Sequence, residues 1–148
     1  MAVAPTTTLE TTHLIRDCCL CLHVQRAARA LARRFDEALR PIGLTNGQFS
    51  LMVSLNRPEP PGMKAVASLL AMDRTTLTAA LKPLRRRGLV RIMADPADRR
   101  SRLMMLTAKG RKALVCAVPI WRKTHAAVEA LLRDGDADRL RNNLRALS

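Results

Sequence analysis

Between Met63 and Gly110 the chain reads as a helix, a tight turn, a second helix, and then two short strands around an arginine-loaded loop. Few folds accept that order. Asp73 stands where a helix N-cap belongs, with its carboxylate placed to accept from the amides of Thr75 or Thr76. Leu77, Ala80, Leu81 and Leu84 follow at helical spacing and define one apolar face. Thr75, Thr78, Ala79, Lys82 and Arg86 fall on another face, which joins small hydrogen-bonding groups to cations. In the preceding segment, Met63, Val66, Ala67 and Leu70 form the stripe that packs against this helix. Pro83 removes one backbone donor and bends the second helix, yet the apolar spacing continues through Leu84. The helix is therefore expected to run to Arg86 or Arg87 and to close at Gly88.

Leu89 to Met93 reads as a strand, Ala94 to Ser101 as a polar loop, and Arg102 to Leu106 as the returning strand. Thr107 then caps another helix. Taken with Asp73-Arg74-Thr75-Thr76-Leu77-Thr78, the Arg-Gly-Leu-Val ending at Val90, Asp95-Pro96-Ala97-Asp98-Arg99-Arg100 and Leu106-Thr107-Ala108-Lys109-Gly110, this stretch resembles the MarR family of winged helix-turn-helix transcriptional regulators. Gly43-Leu44-Thr45 and Gln48-Phe49 extend the resemblance over most of the chain, from about Cys18. It implies a homodimer joined through its terminal helices, a palindromic double-stranded DNA operator, and a small-molecule effector. It also implies Arg100 in the minor groove with Asp98 orienting its guanidinium, a fitting pair because a narrow groove concentrates negative potential. The readers assigned are Arg74, Thr75, Thr76 and Thr78. Lys82, Arg86, Arg99 and Arg102 are assigned to phosphates.

Charge supports a polyanionic partner. The chain has 148 residues and carries a formal +14. Its length is that of one domain, or one domain with a dimerisation annex. The expected fold is mainly α with a small β-hairpin wing. Residues 1–12 are expected as a flexible arm, 41–107 as the winged DNA-binding region, and 13–40 with 108–148 as the helical dimerisation region. The arm has no basic stretch followed by an apolar one, so it is not read as a secretory leader. No run of about 20 apolar residues exists. A cytoplasmic protein with reduced thiols is expected.

Leu14 to Leu39 reads as one long helix, with Val24, Ala28, Leu31, Phe35 and Ala38 on its apolar stripe. Its first turns, Cys18 to Leu22, are apolar on nearly every side, which suggests a partner subunit. Pro41 and Gly43 stop it. Thr45 and Gln48 suit a capping box for the next helix, whose core side is Phe49, Met52, Val53 and Leu55. Three prolines between Pro58 and Pro61 force a loop. Ala108 to Arg133 reads as a second long helix kinked at Pro119, with Leu114, Val118, Trp121, His125, Val128 and Leu132 on its stripe. Asp134-Gly135-Asp136 breaks it, and Ala137 to Leu147 forms a last helix.

No catalytic set is present: tyrosine is absent, the 3 histidines are scattered, and no nucleophile elbow or phosphate loop occurs. No enzyme, cofactor or metal site is expected, and the cysteines are read as small apolar residues. Effector contacts are assigned to His23, Arg26, Phe49, Met52 and Trp121. Two alternatives stand beside the effector-released repressor. One is an architectural DNA-binding protein without effector control. The other is a thiol-based redox regulator: some relatives sense organic hydroperoxides through a cysteine early in the first helix, and Cys21 falls near that place. Those sensors use tyrosine hydroxyls to hold the thiolate, and Phe35 stands here where one would be expected. An organic ligand is therefore the preferred signal.

Overall fold

The computed structural model describes residues 7–133 and 135–148. Helix α1 spans Leu9–Cys18 and α2 spans Leu20–Leu39, followed by a single 3-10 turn, Arg40–Ile42. Then come α3 (Asn46–Ser54), α4 (Met63–Leu69), α5 (Arg74–Arg86), β1 (Val90–Ala94), β2 (Arg102–Leu106), α6 (Ala108–Glu129) and α7 (Ala137–Arg145). The class is mainly α with one antiparallel hairpin, registered Val90 to Leu106 and Ala94 to Arg102. No helix among the described residues is long and apolar enough to cross a membrane.

Local chemistry sets most boundaries. Thr45 Oγ1 accepts from Gln48 N at 3.2 Å while Thr45 N donates to Gln48 Oε1 at 3.2 Å, the expected capping box. Asp73 Oδ1 accepts from Thr76 N at 2.7 Å and starts α5. The helix runs through Pro83 to Arg86, and Gly88 at φ 69° ends it in the left-handed region. Thr107 caps α6 by accepting from Gly110 N at 3.0 Å. Met104 N donates to Pro61 O at 3.0 Å, and Gly62 bridges Leu103, so the proline-rich loop is pinned to the outer edge of the hairpin.

The core gathers where α2, α3 and α6 meet α4, α5 and the hairpin. Leu39, Leu51, Met52, Val66, Leu77, Leu81, Leu84 and Met104 are fully buried there. The predicted stripes of α4 and α5 face it, with Met63, Ala67, Leu70 and Ala80 packed at its margin. Leu39, Leu114 and Ala117 belong to the same cluster, so the core reaches beyond residues 41–107 into both long helices.

Several expectations need correction. The helix expected from Leu14 to Leu39 is two helices. Cys19, at ψ 105°, leaves the helical conformation and becomes the N-cap of α2. Its N–H still donates to Ile15 O at 3.0 Å, its carbonyl accepts from His23 N at 3.1 Å, and its Sγ lies 3.5 Å from Leu22 N. An apolar Leu-Cys run carries no breaker that periodicity could register. Of the expected arm, residues 1–6 lie outside the described residues, while Leu9–Thr12 form the first turn of α1 behind an N-cap at Thr8. Val53 is 46% exposed rather than core, and Leu51 is buried in its place. On α2 the apolar stripe is exposed at Val24 and Leu31 and buried only from Phe35 onward. Cys18, Cys21 and Cys116 are exposed, not packed as small hydrophobes; Cys19 is half-buried. β1 begins one residue later than expected, α6 stops at Glu129, and α7 stops at Arg145.

Candidate nucleic-acid interface

Every residue assigned to the α5 face is exposed: Arg74, Thr75, Thr76, Thr78, Lys82 and Arg86. The structure distinguishes the threonines. Thr76 Oγ1 donates to Asp73 Oδ2 at 2.9 Å, which commits that hydroxyl to the cap. Thr78 Oγ1 donates back to Arg74 O at 2.8 Å and keeps its lone pairs outward. The Thr76 amide, then the Thr76 hydroxyl, holds the Asp73 carboxyl below the ordinary carboxylate range.

The wing brings its arginines against this helix. A hollow of about 660 Å³ lies between them, lined by Arg74 from α5, Lys64 and Ser68 from α4, and Arg100 and Arg102 from the wing. A second hollow of about 370 Å³ continues along α5, lined by Arg74, Thr78, Lys82, Arg85 and Arg102. Asp95 is the one carboxylate lining either hollow, and its Oδ1 accepts from Ala97 N at 2.8 Å. Cations from α4, α5 and the wing thus line one concave surface. Such a surface suits a chain of phosphates, with small hydroxyls between the cations able to meet base edges. Lys64 and Arg85 were not among the assigned contacts. Their presence here depends on how α4 and α5 cross, which no linear spacing displays.

Asp98 departs from expectation. It does not pair with the Arg100 guanidinium. Its Oδ1 accepts from Arg100 N at 3.0 Å and its Oδ2 from Ser101 Oγ at 2.8 Å. The backbone N–H of Arg100, then the Ser101 hydroxyl, hold this carboxyl below the ordinary range. Both oxygens are occupied by the loop's own donors, so Asp98 fixes the turn and leaves the Arg100 side chain exposed. Arg102 donates to Arg99 O at 2.9 Å, bracing the other side of the tip.

The assigned effector contacts separate into groups. Phe49 and Trp121 stack with ring centroids 6.3 Å apart, and Trp121 stacks on His125 at 4.6 Å. Both line a hollow of about 690 Å³ with Val53, Leu69, Leu70 and Val118, and with Arg57 and Arg122 as its cations. Met52 is sealed in the core. His23 and Arg26 lie on the exposed first half of α2 and do not line this hollow. His23 Nε2 instead meets Asp17 O at 3.1 Å. Cys21 Sγ accepts from Gln25 Nε2 at 3.0 Å and is exposed, in place of the expected apolar surroundings.

A family model described as the MarR family matches residues 44–101. The transcriptional regulator HosA of Escherichia coli O111:H- is 42% identical over 79 residues, 52% of this chain and 57% of HosA. The matched stretch is thus little more than half of that curated relative's length. The transcriptional regulator MosR of M. tuberculosis, solved in complex with DNA, is 46% identical, with a TM-score of 0.79 over 87% of this chain and 92% of that one. The transcriptional repressor CouR, bound to a 23-mer DNA duplex, is 28% identical, with a TM-score of 0.78 over 97% of this chain and 99% of that one.

Proposed function

This chain belongs to the MarR family, and on that premise we propose that it is a homodimeric, sequence-specific DNA-binding regulator of transcription, a repressor that a small organic effector releases from an inverted-repeat operator. The observation that carries the reading is the hollow where Arg74, Lys64, Arg100 and Arg102 converge between the exposed face of α5 and the wing. α5 enters the major groove with Arg74, Thr75 and Thr78 toward base edges, while Arg100 reaches the minor groove. Lys82, Arg85, Arg86 and Arg102 grip the flanking backbone. Two-fold symmetry of the protein matches two-fold symmetry of the site. MosR and CouR, solved with DNA, support the partner class.

The effector seat is the Phe49–Trp121 hollow. Its apolar walls and stacked rings suit a planar molecule, and Arg57 with Arg122 suits one bearing an anionic group. A second reading has one observation in its favour: Cys21 is exposed, so an oxidant can reach its Sγ, which lies 3.0 Å from Gln25 Nε2. Release from DNA by stoichiometric organic hydroperoxide, abolished in Cys21→Ser, would replace the organic effector with thiol oxidation.

Selection of bound duplexes from a random pool tests the main reading. Enrichment of an inverted repeat is expected, with a steep loss of affinity in salt; about eight neutralised phosphates give a slope of log K against log salt near −7. Arg100→Ala should cost about 1–3 kcal/mol of binding and weaken A·T preference under the wing. Equal binding to every duplex would leave only an architectural role.

A further inference from the structure

The fold divides the run Arg85-Arg86-Arg87, of which only Arg86 is assigned to phosphate from the sequence. Arg85 lines the hollow beside Lys82, and Arg86 is exposed on the last turn of α5. Arg87 turns the other way. Its guanidinium donates to Gly43 O at 2.7 Å and reaches Gln48 Oε1 at 3.5 Å. Gly43 closes the turn after α2 at φ 70°, and a Cβ there would stand 3.3 Å from the Arg87 guanidinium. Gln48 Oε1 is the same atom that accepts from Thr45 N in the capping box of α3. On its main-chain side, Arg87 O accepts from Lys109 Nζ in the first turn of α6 at 2.9 Å. One residue at the exit of α5 is therefore tied to the exit of α2, the entry of α3 and the entry of α6.

We propose that Arg87 is a positioning residue for DNA reading: it fixes the angle at which α5 leaves the frame of the long helices α2 and α6, and so the half-site spacing that the dimer accepts. The inference rests on the dimeric DNA-binding reading above. The guanidinium is spent inside the fold, so its removal changes geometry and leaves the number of neutralised phosphates alone. A phosphate-binding arginine would show the opposite signature, since losing one contact from each protomer takes about 2 units off the salt slope.

The probe is the duplex that the wild-type chain selects from a random pool, remade with its half-sites moved apart or together by one base pair. Arg87→Met keeps the aliphatic stem and removes the donors. It is expected to lose about tenfold in affinity at the selected spacing, to lose most of the preference between spacings, and to keep the wild-type salt slope. Arg86→Ala is the reference whose slope falls. A fallen slope in Arg87→Met, or an unchanged spacing preference, would overturn the proposal. Should Arg87→Met fail to fold, Lys109→Met cuts the other tie to the same residue; it is expected to flatten the spacing preference likewise, and an unaltered preference overturns the proposal. A wild-type chain that enriches no inverted repeat would bring down the DNA-binding reading before any Arg87 variant is made.

Discussion

The two parts of this chain solve the burial problem differently. From Leu39 to Ala117 most apolar residues close on one another, and eight of the larger ones are fully buried, though Val53, Leu69, Met93 and Val115 stay exposed. Outside that span, where among the described residues Phe35 is buried and Ile120 and Trp121 pack on the core, many apolar residues face outward: Leu9, Leu14, Ile15, Leu20, Val24 and Leu31 on α1 and α2, then Leu131, Leu140, Leu144 and Leu147 around α7. Scattered exposed leucines are ordinary, but a run of them on amphipathic helices at both ends of a chain is not. The closed part is stable by its own packing. The open part is written for a surface that this single chain does not supply, and the proposed second copy supplies it.

The sharpest way to break the closed part is at Gly110. A Cβ there would overlap Leu89 O and stand 3.0 Å from Leu89 C, both backbone atoms that cannot swing aside. α6 crosses the start of β1 this closely because Thr107 also bonds Gly88 O and Leu89 O. Gly110→Ala should cost about 3 kcal/mol or more in denaturant unfolding, or leave no folded protein. A loss below about 1 kcal/mol would mean that the crossing yields, and that this junction is not close-packed.

In the open part the corresponding test changes association rather than folding. Leu140→Glu with Leu144→Glu puts charge on the exposed face of α7, where neither side chain has a core to leave. The proposed dimer should weaken by at least about 2 kcal/mol, roughly a thirtyfold rise in its dissociation constant by sedimentation. Unfolding of the isolated monomer should change by no more than about 0.5 kcal/mol. A double variant that still sediments as an undisturbed dimer would place the interface elsewhere, and a monomeric wild type would dissolve the contrast altogether.

What could be read in the sequence follows the same division. Asp73, Thr45 with Gln48, Pro83, Gly88 and Thr107 act within a few residues of themselves, and each sits in the structure as its spacing predicted. The hairpin was legible to within one residue, with β2 as expected and β1 one residue off, because alternation and turn residues are local too. The Cys19 break was not, since an apolar run looks the same in one helix or two. Periodicity puts Val53 on a core side and Val24 and Leu31 on an apolar stripe, because it reports which side is apolar and stays silent on what covers it. Asp98 and Arg87 show the limit for the site. Both are charged residues beside the reading face, and both spend their charge on the chain's own backbone, Asp98 on Arg100 N and Arg87 on Gly43 O.

Acid separates the two parts by mechanism. Asp73 and Asp98 accept from amides and hydroxyls of their own turns. Glu129 and Asp138 instead accept first from Arg141, each at 2.7 Å; the Glu129 pair clasps α7 to α6, and the Asp138 pair, within α7, holds the guanidinium in place. All four carboxyls are held below their ordinary values. Their contribution is therefore complete above the unfolded-state pKa, near pH 4, and is lost as the pH falls through the lowered folded values. Amide protection at Thr76 and Arg100, taken relative to the unstructured exchange rate at each pH, should fall only in that acid range, and should ignore salt. The α6–α7 clasp should loosen in acid and also in high salt at neutral pH, because exposed ion pairs are screened. Salt-sensitive exchange at Arg100 would move the wing tip into the ion-paired class.

The smallest effect tests how tightly the closed part is held at its turn. Ala71, between α4 and α5, has φ 51° and is the one non-glycine residue at positive φ among those described. The conformation is imposed by both neighbours: Ala71 N donates to Ser68 O at 3.2 Å, Met72 N to Ala67 O at 2.9 Å, and Asp73 must then begin α5. A left-handed alanine costs about 1–2 kcal/mol. Glycine removes that cost but gives the unfolded chain about 0.4–1 kcal/mol more conformational entropy to lose. Ala71→Gly should therefore stabilise by up to about 1 kcal/mol with DNA binding unchanged, since Ala71 lines neither hollow beside α5. Ala71→Val should destabilise by more than glycine gains, because a β-branched side chain tolerates this region least. Destabilisation by glycine would show that the Ala71 methyl contributes packing that outweighs its strain, and the turn would then join the close-packed core.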